Sequence, residues 1–97
     1  NITVEEISPA ILKGLSWTAS KTDLVELMYA LHSARAIRNG QLELSKMAEA
    51  CAMLFDINLN NFYKTYAEIK NREKDTTKFL DYLKVSLEKR IDLDNAK

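Results

Sequence analysis

Cysteine, proline, tryptophan and histidine each occur once in 97 residues, and glycine only twice. A single thiol, Cys51, cannot close an internal disulfide or build a metal cluster, and it fits a reducing compartment. It reads as a small core residue on a helix, because free cysteine is among the most buried residue types. Two scattered glycines cannot form a phosphate-cradling loop, and neither G-x-x-x-x-G-K-S/T nor G-x-G-x-x-G occurs. His32 has no second histidine or cysteine at ligand spacing, whereas a metal site normally needs three or four ligands. No serine sits in G-x-S-x-G, and the lone histidine has no visible orienting partner. The carboxylate pairs Glu5-Glu6 and Asp92/Asp94 lie near the ends, where solvation keeps them ordinary. No enzyme is expected, and neither is a cofactor, a metal or a small-molecule substrate.

Apolar stretches extend only a few residues, well under the roughly 20 needed to cross a bilayer. No charged start precedes a signal-type apolar segment, so a cytoplasmic protein without a membrane partner is expected. The first residue is Asn1 rather than Met, which suggests a C-terminal fragment of a longer protein. At 46% hydrophobic and 29% charged, the composition is that of one soluble domain spanning 1–97. A chain this short buries roughly 60–65% of its unfolded surface, so one continuous core carries the fold. Net charge is zero, 14 basic against 14 acidic. Any attraction to nucleic acid must therefore come from uneven placement of charge.

With so few breakers, the expected fold is mainly α, with helices joined by short turns. A helical lead-in is expected over about 5–15, with Ile7, Ile11, Leu12 and Leu15 on it and Gly14 at its end. Ser20 and Asp23 have the spacing of a capping box, and Leu24, Leu27, Met28 and Leu31 then mark one helical face running to about Ala34. Asn39-Gly40 signals a turn, since both residues tolerate positive φ. Leu42 and Leu44 alternate with polar neighbours, which allows a very short strand. Ser45 reads as the cap of a second helix with Met47, Ala48, Cys51, Leu54 and Phe55 inward and Lys46 and Glu49 outward.

After the break Asp56–Asn58, with Asn58 as cap, a third helix over 59–71 should turn Leu59, Phe62, Tyr66 and Ile69 inward. Asn60, Asn61, Lys64, Thr65, Glu68 and Asn71 should point outward. A polar loop over 72–76 leads to a last helix, capped by Thr76 or Thr77, that buries Phe79, Leu80, Leu83, Leu87 and Ile91, and the tail 92–97 should fray.

Two short helices around a tight break, followed by a polar loop, match a helix-turn-helix, whose second helix enters the major groove of DNA. Asparagine can pair bidentately with adenine, and lysine can reach guanine or phosphate. From Asn60 to Lys78 the basic residues Lys64, Lys70, Arg72, Lys74 and Lys78 exceed the acidic Glu68, Glu73 and Asp75 by two. Arg35 and Arg38 join this set if the Asn39-Gly40 turn folds alongside. Tyr63 fits either a stacking or phosphate contact or the edge of the core.

The run Trp17-Thr-Ala-Ser-Lys-Thr-Asp-Leu-Val-Glu-Leu-Met-Tyr-Ala-Leu-His32 resembles the central helix of the RteC family. So do Asn58-Leu-Asn-Asn-Phe-Tyr-Lys-Thr-Tyr-Ala-Glu-Ile-Lys70 and Thr77-Lys-Phe-Leu-Asp-Tyr-Leu-Lys84, in the same order and spacing from about Leu15 to Ile91. The resemblance implies a two-domain bacterial transcriptional regulator of tetracycline-inducible conjugative elements. Such proteins activate excision genes by binding double-stranded DNA upstream of the excision promoter. This chain looks like their C-terminal domain, a winged-helix form of the helix-turn-helix occupying about 17–91. On that mapping Asn60, Asn61, Lys64 and Thr65 lie on the recognition helix, with Asn71 at its end. Arg72, Lys74 and Lys78 lie on or beside the wing. Glu73 and Asp75 depart from the family's basic wing, which points to weak binding or to a homodimer. The alternative is a protein-interaction module of the same shape that docks a partner through an exposed cluster such as Trp17 with Tyr29 or Tyr63.

Overall fold

A computed structural model describes residues 14–96 of the chain. The lead-in expected over 5–15 lies almost wholly outside the described residues. Four α-helices follow: α1 Lys21–Ser33, α2 Leu44–Leu54, α3 Phe62–Lys70 and α4 Lys78–Asn95, with a 3₁₀ turn at Arg38–Gly40. The fold is all-α, with no strand among the described residues. No described helix is long and apolar enough to cross a membrane.

Helix α1 begins where the sequence says it should. Ser20 Oγ accepts from the Asp23 amide at 3.0 Å, and the Asp23 carboxylate accepts from the Ser20 amide at 3.4 Å. The helix is the centre of the molecule, in contact with α2, α3 and α4. Three neighbours require more than one apolar stripe. Leu24, Val25, Glu26 and Met28 are buried, while Leu27 and Leu31 are half-buried. Met47 and Ala48 from α2, Leu59, Phe62 and Ile69 from and before α3, and Phe79 from α4 complete the core. Each fully buried side chain of this size contributes about 1.5–3 kcal/mol.

Trp17 ties the chain entry to two other elements. Its amide donates to the Phe55 carbonyl at 2.9 Å and its indole Nε1 to the Ser20 carbonyl at 2.8 Å. Its ring packs 5.3 Å from Phe55 and 5.9 Å from Phe79.

Five expectations are corrected. Leu42–Leu44 forms no strand: the His32 ring Nε2 donates to the Leu42 carbonyl at 3.1 Å, Leu44 already belongs to α2, and among the described residues no second strand lies beside them. The turn before it does form, with Asn39 at φ 56° and Gly40 at φ 81°. Ser45 is not the cap of α2, since Glu43 occupies that position in extended conformation without a side-chain bond. Within α2, Leu54 is exposed rather than inward, while Lys46 and Glu49 do lie outside, paired at 3.5 Å. On α4, Leu83, Leu87 and Ile91 are exposed, because no other described element reaches past the first turns of this helix. The segment from Asp92 does not fray at once, as α4 continues to Asn95.

Candidate nucleic-acid interface

The α2–α3 break is built by two residues in left-handed backbone. Asp56 (φ 50°) ends the run from α2, and Asn61 (φ 62°) precedes the first residue of α3. Aspartate and asparagine tolerate this region better than other side chains. Asn58, expected to cap the helix, instead closes a local turn in which its Oδ1 accepts from the Asn60 amide at 2.8 Å. The helix therefore starts at Phe62, three residues later than expected. Lys21 Nζ donates to the Asn60 carbonyl at 2.8 Å, fixing the break against the start of α1.

Helix α3 sits with Phe62, Thr65 and Ile69 inward and Leu59 buried just before it. Tyr66 is half-buried and stacks on Tyr29 of α1, ring centroids 3.8 Å apart and planes within 6°. Burial raises the Tyr29 hydroxyl above its ordinary pKa, and the neighbouring Tyr63 and Tyr66 add to this. The outward side carries Asn60, Asn61, Tyr63, Lys64, Glu68 and Asn71, all exposed. Of these, Tyr63, Lys64 and Glu68 lie on α3 itself, Asn60 and Asn61 on the turn before it and Asn71 at its C-terminal cap. A cleft of about 350 Å³ opens beside them, lined in part by Ser45, Glu49, Asn61 and Tyr63.

Thr65 corrects the sequence reading, being only 8% exposed. It lies three residues after Phe62 and four before Ile69, so the helical period itself puts it on the packed side. Its polar type had suggested solvent.

The segment after α3 is held by an interaction that the sequence reading missed. Glu26, buried on α1, accepts from Arg72 Nη1 through Oε1 and from the Leu80 amide through Oε2, both at 2.9 Å. Arg72 Nη1 also lies 3.3 Å from the Thr76 carbonyl. Both carboxylate oxygens are thus occupied, as a buried charge requires. One side chain joins α1, the loop Arg72–Thr77 and the start of α4. The only sequence signal was a glutamate between Val25 and Leu27 on the packed helix, since its partners are 46 and 54 residues away. Arg72 is therefore committed to the fold, with its side chain 20% exposed. Lys74 and Lys78 are exposed in and beside the same loop, together with Glu73 and Asp75. No β-hairpin underlies this loop.

The structure thus leaves Asn60, Asn61, Lys64 and Asn71 exposed on and beside α3, leaves Lys74 and Lys78 exposed after it, and withdraws Thr65 and Arg72. Arg35 and Arg38 are exposed around the Asn39-Gly40 turn, both at positive φ. Trp17 is packed between Phe55 and Phe79, and Tyr63 remains 59% exposed. Among the described residues no group of three or more His, Cys, Asp or Glu could hold a metal ion. Burial raises the Cys51 thiol pKa above its ordinary value.

Compared with known proteins, the chain matches one family model, described as RteC protein, over residues 1–95. No curated protein and no solved structure matches it.

Proposed function

The chain belongs to the RteC protein family, and from that premise we propose that it is the DNA-binding part of a bacterial transcriptional regulator, acting on the excision genes of a conjugative element. The observation that carries this reading is the division of α3. Its apolar side is locked against α1, so Lys64 is held at the surface on a packed helix, with Asn60 and Asn61 exposed in the turn before it and Asn71 exposed at its end. In a helix-turn-helix such a helix enters the major groove, asparagines reading adenine and lysine reaching guanine or phosphate. Lys74 and Lys78 then meet the flanking backbone. Glu26 and Arg72 act behind this surface by fixing the loop.

The net charge of zero makes the electrostatic component modest, so affinity rests on few phosphate contacts. The test is fluorescence anisotropy with a duplex from the region upstream of the excision promoter. Lys64→Ala should weaken binding on all sequences and lower the slope of log affinity against log salt by about 0.9. Asn60→Ala should relax base preference at one position while leaving that slope in place. Binding unchanged by either substitution overturns the reading.

A protein-docking role for the same surface has the cleft beside Tyr63 in its favour. It predicts no salt-dependent affinity for DNA and loss of a protein partner on Tyr63→Ala.

A further inference from the structure

Every residue from Asp81 to Ala96 is exposed, so about 22 Å of α4 stands clear of the other described elements. Isolated helices of this length are marginal in water, and helices in proteins draw most of their stability from packing an apolar face. The face is present. Leu83, Leu87 and Ile91 follow one another at four-residue steps and are 36%, 61% and 46% exposed. Lys84 and Glu88 flank this stripe on one side, also four residues apart, and neither forms an ion pair among the described residues. On the other side Arg90 is already paired with Asp94 at 3.3 Å.

We propose that this face pairs with the same face of a second copy of the chain, the two α4 helices running antiparallel about a two-fold axis opposite Ser86. In an antiparallel pair related by a two-fold axis, like flanks face each other. Lys84 of one copy then lies across from Glu88 of the other, and the symmetric pair repeats the contact. The same register interleaves the apolar side chains, so that Leu83, Leu87 and Ile91 from the two copies alternate along the seam, with the two Leu87 side chains at its middle. Few registers satisfy both the charges and the leucines, and a parallel pair would instead set the Lys84 and Glu88 flank against the flank carrying Tyr82, Ser86 and Arg90. The surface is therefore self-complementary, as an isologous contact requires. The pairing does not depend on DNA. If the proposed function holds, it also presents two α3 helices to two half-sites.

Sedimentation equilibrium of the full chain without DNA tests this. A concentration-dependent dimer is expected. Leu87→Asp should weaken it by about a hundredfold or more, since two carboxylates would enter an apolar seam. Leu87 is largely exposed, so the fold is untouched, which circular dichroism checks. Glu88→Lys should weaken association by about tenfold by setting like charges opposite one another. Adding Lys84→Glu to Glu88→Lys should restore it. A native chain that stays monomeric at all concentrations overturns the proposal, including the case in which residues 1–13 cover the stripe. So does a dimer indifferent to Leu87→Asp, or a double charge exchange that fails to restore association.

Discussion

Helices α3 and α4 each carry apolar residues at helical spacing and meet opposite fates. The nine residues of α3 include three buried side chains, Phe62, Thr65 and Ile69. The 18 residues of α4 include one, Phe79. What separates them is the surface available: α3 lies along the central helix α1, and α4 touches α1 only near its own start, where Glu26 holds the Leu80 amide. An amphipathic pattern states a capacity for burial, and the neighbouring element decides how much of it is used. The polar side of α3 gains its rigidity from the packed side, whereas the apolar side of α4 is left as a surface.

The sharpest way to test that contrast is a matched pair of truncations. Phe62→Ala should cost about 3–5 kcal/mol in chemical denaturation. Leu87→Ala, measured where the chain is monomeric, should change stability by about 0.5 kcal/mol or less. Comparable losses would mean that α4 packs as α3 does. Next in size is Arg72→Ala, which leaves the buried Glu26 carboxylate without its cation and should cost about 2–4 kcal/mol. Its effect should appear in amide hydrogen exchange of the Leu80 region and the loop after α3, while the free half of α4 exchanges as before.

The smallest effect is alkaline. Tyr29, stacked on α3, has a pKa raised above 10.0 by burial and by its tyrosine neighbours. Its neutral form favours the fold fully below the unfolded value, and stability falls as pH rises from there through the higher folded value. Thermal melts above pH 10 should show this decline, and Tyr29→Phe should flatten it. Cys51, raised above 9.0 by burial, contributes the same sign at slightly lower pH, which Cys51→Ala removes. A Tyr29→Phe curve with an unchanged decline would count against the role of the stack.

The parts legible in the sequence were those fixed by local geometry. The Ser20–Asp23 capping box, the left-handed Asn39-Gly40 turn and the inward set Leu59, Phe62 and Ile69 need only neighbours within one or two turns. The start of α3 was displaced because Asn58 found a competing local bond two residues on. Thr65 was misplaced by residue type where the helical period was the better guide. Glu26 and Arg72 were illegible in their roles, since the bond between them joins positions 46 residues apart. The burial of α4 was overestimated because periodicity carries no information about whether a partner exists.

Amide chemical-shift mapping during titration with the promoter-upstream duplex tests the central claim most directly. Perturbations should concentrate at Asn60, Asn61, Lys64 and Asn71, with lesser ones at Lys74 and Lys78, while Leu83, Leu87 and Ile91 stay still. Perturbations centred on α4, or none on α3 at saturating DNA, would contradict it.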